Sequence, residues 1–205
     1  MSRYPARLVD RWHDRVEPYP GQGILYWQVL TGRDPRVRAA VRDAQERLLP
    51  FPGLHLTPLR WLHATVLTLG STYDISLDEA YDMLGAASES LAGTPPIQVA
   101  MERIIYSPEE ILLELEPTDL NPIREATQAA ARKVLGREAH AEALWSPHTT
   151  IAYSTADQPA ALIVEALGHR LTRCDFTVDA VSLIIQFGAE RDWDCRHIGS
   201  ALLLG

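Results

Sequence analysis

Apolar positions along this chain switch repeatedly between two periods. Gly23 to Thr31 carries Ile24-Leu25-Tyr26-Trp27-Gln28-Val29-Leu30, a short aromatic and β-branched run that predicts a first strand. At Asp34-Pro35 the pattern changes to helical spacing. A side-chain acceptor followed by proline is a helix start, and Val37, Val41, Ala44 and Leu48 form one apolar stripe. Phe51-Pro52-Gly53 ends that helix. A second strand is expected over Leu62 to Leu69, closing on Gly70. Ser76-Leu77-Asp78-Glu79 reads as a capping box, opening a helix with Leu77, Tyr81, Leu84 and Leu91 inward.

Thr94-Pro95-Pro96 is a break, after which the order returns. Strands are expected at Ile97 to Tyr106 and Glu110 to Glu116, turning at Ser107-Pro108. Asn121-Pro122 starts a helix with Ile123, Thr127, Ala130 and Val134 on one face, ended at Gly136. Pro147 to Tyr153 is a further strand. Asp157 is placed to cap a helix bearing Ile163, Val164, Leu167 and Leu171. Phe176 to Phe187 and Cys195 to Leu204 read as a closing hairpin turning near Ala189-Glu190. Such a turn places Cys174 opposite the region of Leu204 and Cys195 opposite that of Leu183, so no disulfide is expected. Strand–helix–strand–helix therefore occurs twice, with extra strands in the second half. That implies an α+β protein in which two sheets face each other across a cleft, with helices outside. Residues 1–22, rich in Arg, Asp and Pro around a lone Trp12, read as an N-terminal extension, either one helical turn on the surface or an arm. Residues 23–205 read as a single bilobal domain with its lobe break near 93–96.

The 205 residues suffice for a proper core, and 46% apolar with 22% charged residues is ordinary for a globular protein. The start, Met1-Ser2-Arg3-Tyr4-Pro5, has no apolar leader, and no run is long enough to span a bilayer. A cytoplasmic protein that does not engage membranes is expected. Formal net charge is −8, Lys133 is the lone lysine, and no basic cluster occurs. This disfavours a long nucleic-acid duplex as partner and favours a small phosphate ester or an RNA end. Cys174 and Cys195 form no redox or metal motif. His13, His140, His169 and His197 lack metal-ligand spacing, and neither G-x-x-x-x-G-K nor G-x-G-x-x-G is present, so no metal and no cofactor is expected.

Two stretches remain. His63-Ala64-Thr65 and His148-Thr149-Thr150 each put an imidazole and a hydroxyl two residues apart on an apolar strand, hence on one face. A third triplet, His55-Leu56-Thr57, runs into Pro58, which tends to end a strand, so His55 reads as a hairpin or loop residue. Two imidazoles and two hydroxyls around one space suit a phosphate. Hydroxyls donate to its oxygens, and imidazoles move protons at the attacking and departing atoms.

Trp61-Leu62-His63-Ala64-Thr65-Val66-Leu67 and Ser146-Pro147-His148-Thr149-Thr150-Ile151-Ala152-Tyr153 resemble the repeated hydrophobic-His-x-Thr-hydrophobic motif of the two-histidine phosphoesterase superfamily. That group includes bacterial 2'-5' RNA ligases and cyclic nucleotide phosphodiesterases. The resemblance extends over residues 23–204, with the two motifs its sharp part. It implies two pseudo-symmetric lobes and antiparallel sheets, with His63 and His148 catalytic and brought together by central motif strands; a monomer is expected. It further implies a metal-independent phosphodiesterase acting on 2',3'-cyclic phosphates or 2'-5' linkages of nucleotides or RNA ends, with 2'-5' RNA ligase activity as the reverse use of the site. In ring opening His148 would be the base and His63 the acid. Thr65 and Thr150 would hold the non-bridging oxygens.

Tyr153 is of odd parity to His148, and a regular strand would turn it away. The family pattern puts an aromatic here near the nucleoside, which a bulge or a strand end would permit; core packing is the other reading. Arg60 is either a cation at the cleft mouth or a solvated turn residue. A non-catalytic nucleotide-binding module of the same fold is the alternative function.

Overall fold

The computed structural model describes residues 4–116, 120–137 and 145–205. Its strands are β1 (Arg7–Leu8), β2 (Gly23–Val29), β3 (Leu54–Leu56), β4 (Ala64–Ser71), β5 (Ile97–Tyr106), β6 (Glu110–Glu116), β7 (His148–Ser154), β8 (Gln158–Pro159), β9 (Arg170–Val178), β10 (Ala180–Phe187) and β11 (Asp194–Leu202). The helices are α1 (Pro35–Leu48), α2 (Leu77–Leu91), α3 (Asn121–Leu135) and α4 (Ala161–Leu167). Two antiparallel sheets carry the fold, in the orders β11-β10-β2-β4 and β3-β7-β6-β5-β9. The class is α+β, with two lobes and helices on the outer faces, as the sequence implies.

Local chemistry accounts for the helix starts. The Asp34 side chain accepts from the Arg36 amide at 2.7 Å and Pro35 occupies the first helical position, while Ser76 and Glu79 close a reciprocal capping box on α2. Val37, Val41, Ala44 and Leu48 are all buried.

The lobes are interleaved. α1 packs on β9, α4 and β7, whereas α2 and α3 pack on each other and on β11 and β4. Each helix preceding a motif strand thus covers the sheet that holds the other motif strand. The first sheet is completed only by the last two strands of the chain, and β3 from the first half pairs with β7. A buried hydroxyl pair, Thr31 Oγ1 and Thr149 Oγ1 at 3.0 Å, links the turn before α1 to β7. The two histidine-bearing segments are therefore fixed by both halves of the chain.

Several expectations need correction. The first strand stops at Val29 and a 3-10 turn spans Thr31–Arg33. His55 lies in β3, paired with Tyr153, rather than in a loop. β4 begins at Ala64, so His63 precedes the strand, after a 3-10 turn over Leu59–Trp61. β4 is also the edge of its sheet; the motif strands meet where the two sheets approach, rather than in the middle of either. On α2, Leu77 and Tyr81 are exposed, and the buried stripe is Ala80, Met83, Ala87 and Leu91. α2 packs against β11, where Leu84 fills the space above Gly199. Asp157 caps nothing: α4 follows Ala160, and Asp157 pairs with Arg7 at 2.6 Å. Leu171 belongs to β9.

The closing hairpin is shorter than expected. The chain breaks at Asp179, so β9 pairs with β5 while β10 pairs with β11 and β2. Cys174 accordingly faces Met101 and Cys195 faces Gln186; both are free. Residues 7 and 8 form neither a helical turn nor a loose arm. They pair with β8, and Leu8 is completely buried.

Candidate active site

Each motif strand slips one residue beyond its threonine. Gln28 pairs with Thr65 but Trp27 with Leu67, leaving Val66 as the extra residue; Leu112 pairs with Thr150 but Ile111 with Ala152, leaving Ile151. Such a β-bulge reverses the alternation of faces. It returns the residue five past each histidine, Thr68 in one case and Tyr153 in the other, to the histidine's own face. His63, Thr65, Thr68, His148, Thr150 and Tyr153 consequently line one cavity of about 260 Å³, completed by Arg11, Glu110, Trp145 and Glu190 among others. A larger hollow of about 710 Å³ between α1 and β9 holds no histidine.

The two imidazoles are bonded alike. His63 Nδ1 lies 2.7 Å from the Trp61 carbonyl, and His148 Nδ1 lies 2.8 Å from the Ser146 carbonyl. A carbonyl only accepts, so each Nδ1 carries the hydrogen and each Nε2 is left for the cleft. Burial holds His63 below the ordinary imidazole value; its bond to the Trp61 carbonyl and the charge of Glu190 oppose this, and the nearby His148 adds to it. His148, like His63, is half-buried.

The threonines differ. Thr150 Oγ1 donates to Glu110 Oε2 at 3.0 Å. On the other strand the backbone is braced instead, with the Trp145 indole donating to the Thr65 carbonyl at 3.0 Å and Arg124 lying over the Trp145 ring. Tyr153 is 4% exposed, and burial raises its phenol well above the usual range, so it remains a neutral hydroxyl. Its ring meets Trp12 and Trp193, and Trp193 in turn stacks on and donates to His55. Tyr153 is thus both packed and at the cavity wall.

The N-terminal segment supplies Arg11. Its guanidinium donates to both carboxylate oxygens of Glu190, at 2.7 and 2.9 Å, and lies 4.5 Å from the centre of the Tyr153 ring. Burial disfavours its charge, but the bond to Glu190 and the charges of Glu190 and Glu110 outweigh that and hold the pKa above the ordinary arginine value. Sequence reasoning missed Arg11, Glu110 and Glu190, since no local pattern marks them. Thr68 and Trp145 were findable from their offsets to the motifs.

Arg60 is exposed in its turn, near the Trp61 ring, and does not line the cavity. His169 packs with Tyr4 and Tyr106, and His197 contacts Arg33 and Ser200. His140 falls outside the described residues. Among the described residues no cluster of three or more His, Cys, Asp or Glu is placed to hold a metal ion, and no helix is long and apolar enough to cross a membrane.

A family model described as the 2'-5' RNA ligase superfamily matches residues 31–189. Among solved structures, the chain is similar to TT0787 of Thermus thermophilus, with a TM-score of 0.68 and 21% identity over 89% of this chain and 98% of that one. E. coli LigT complexed with 3'-AMP gives 0.62 and 12% over 90% and 99%, and the MHV ns2 PDE domain gives 0.55 and 13% over 80% and 99%. No curated protein matches the sequence. At these identities the structural likeness is one of fold.

Proposed function

The chain belongs to the 2'-5' RNA ligase superfamily, a family of phosphoesterase and ligase-type enzymes, and from that premise we propose that it opens 2',3'-cyclic phosphates or cleaves 2'-5' linkages of nucleotides or RNA ends. His63 and His148 are the proton-transfer groups in this reading. Thr65 and Thr150 donate to the non-bridging oxygens, and Tyr153 lies against the nucleoside. The observation that carries it is the matched pair of imidazoles, each with Nδ1 tied to the carbonyl two residues back and each lining one cavity. That LigT is known complexed with 3'-AMP supports a small nucleotide as ligand for the fold.

Burial favours the neutral form of His63, and on that ground we assign it as the base in ring opening, leaving His148 as the acid. This is the reverse of the order the resemblance implies. Nε2 of His63 takes a proton from water as the water oxygen bonds to phosphorus. The phosphorus–oxygen bond to one ribose oxygen breaks, and His148 protonates that oxygen, leaving a phosphate monoester. With a ribose hydroxyl in place of water the same step gives ligation, and in the reverse direction, where a 2'-5' linkage is cleaved back to the cyclic phosphate, the roles exchange.

Incubation with the four 2',3'-cyclic nucleotides, products being resolved as 2'- or 3'-phosphates, tests the reading. A single monoester isomer, lost in His63→Ala and His148→Ala, is the expected result. Binding without turnover would instead mark a nucleotide-binding module.

A further inference from the structure

Resting on that reading, we propose that Arg11 and Thr150 form a phosphate clamp, and that Glu110 occupies the clamp until substrate displaces it. The geometry of one carboxylate carries the argument. Glu110 Oε2 accepts from Thr150 Oγ1 at 3.0 Å, while its Oε1 stands 3.5 Å from Arg11 Nη1. The carboxylate therefore spans a hydroxyl and a guanidinium in the way two non-bridging oxygens of a phosphate would.

Arg11 is only partly committed. Of its five N–H groups, Nε and one on Nη2 make good bonds to Glu190, whereas the contacts of Nη1 to Glu109 and Glu110 are 3.4 and 3.5 Å, at the outer limit of hydrogen bonding. The bonds to Glu190 and the Tyr153 ring, over which the guanidinium lies, fix its plane, and Nη1 is the nitrogen that reaches Glu110, a residue of the cavity wall. The side chain is 11% exposed, so a bond made there is little screened. Arg11 is also the one arginine or lysine among the described residues lining this cavity. It lies outside residues 31–189, the part matched to the family, and reaches the cleft because Arg7 and Leu8 pair with β8.

Displacement follows from charge. A phosphate between Thr150 and Arg11 cannot share the space with the Glu110 carboxylate without like-charge repulsion, so the carboxylate must swing away. Binding then trades one anion for another on the same two donors. Removing the resident charge should tighten phosphate binding, and removing Arg11 should weaken it.

The test titrates inorganic phosphate calorimetrically into the intact protein, alongside KM and kcat for a 2',3'-cyclic nucleotide. Arg11→Gln should weaken phosphate binding and raise KM by about 10- to 100-fold, the scale of one charged hydrogen bond, with a smaller change in kcat. Arg11→Lys, which keeps the charge but loses the fork, should fall between. Glu110→Gln should bind phosphate several-fold more tightly. Arg47→Gln, which breaks the surface pair with Asp43 on α1 away from the cavity, should change neither constant. Unaltered phosphate affinity in a folded Arg11→Gln would overturn the clamp. So would a Glu110→Gln that binds more weakly, for Glu110 would then be a brace and not an occupant. Phosphate binding that follows this pattern without turnover of any cyclic nucleotide would uphold the clamp while refuting the proposed reaction.

Discussion

Thr68 stands to His63 as Tyr153 stands to His148: each is five residues on, and a bulge one residue past the intervening threonine returns each to the histidine's face. Without the bulges, strand alternation would send both side chains away from the cavity. The same irregularity in both sheets makes the two halves of the site alike in outline, with a small hydroxyl on one side and a phenol on the other. That difference puts a phenol on the β7 side where the β4 side has a small hydroxyl, and on the β4 side the aromatic is the Trp145 indole bonded to the Thr65 carbonyl.

The hydroxyls can be ranked by one series. Thr65→Val and Thr150→Val keep the branched shape and should fold normally, yet each should slow turnover by about 10²–10³, as for the loss of a donor to a developing charge. Thr68 lies beyond the bulge, further along the strand from His63, so Thr68→Val should act chiefly on KM. Unchanged rates in the first two would reduce them to strand residues.

Leu8 is fully buried although it lies in the stretch that reads as an extension. Leu8→Ala should therefore destabilise the protein by about 2–5 kcal/mol, the range for emptying a core leucine site. Urea unfolding measures this directly. A cost near zero would mean that β1 is an ornament of the fold and that Arg11 is held by its own bonds, its amide to the Ser154 carbonyl and its side chain to Glu190.

Much of the architecture was legible because it depends on local signals. The bounds of β5 and β6, the Asp34-Pro35 start of α1 and the Ser76 capping box are all set by residues adjacent in sequence. What was not legible depends on distant partners. The buried face of α2 is not legible because Ala80 and Ala87 are too small to stand out in an apolar pattern, while the larger Leu77 and Tyr81 are exposed. Residues 176–187 look like one strand, since nothing at Val178-Asp179-Ala180 announces that the chain passes there from one sheet to the other. In the site, the histidines and threonines share motifs and could be read. Arg11 comes from beyond both motifs, and only tertiary pairing brings it to Tyr153.

Burial of His63 has a sign that can be checked by pH. Its folded pKa lies below the unfolded value of about 6.5, so below that value the unfolded chain binds more protons than the folded one. Stability should fall as pH drops through this window and recover as it rises. His63→Gln should flatten that part of the pH–stability curve in urea titrations between acidic and neutral buffers. With His63 as base, the acid limb of kcat/KM should also sit lower than an ordinary histidine would give; a limb at or above the ordinary value would contradict it.

The order of acid and base can be separated by changing the leaving group. Protonation by a general acid matters when the departing oxygen is a strongly basic ribose alkoxide, and matters little when the leaving group is already a stable anion. A nucleoside p-nitrophenyl phosphodiester supplies the second case, while water remains the attacking group in both. His63→Ala removes the base and should lose a similar factor, about 10²–10⁴, on the cyclic and the aryl substrates. His148→Ala removes the acid and should lose that much on the cyclic substrate but far less on the aryl ester. Because the two groups act in one step, the double variant on the cyclic substrate should fall little below either single one. If His63→Ala is the variant rescued by the aryl ester, the roles revert to His148 as base, and burial of His63 is then outweighed in the substrate complex by the charge of Glu190 and of the bound phosphate.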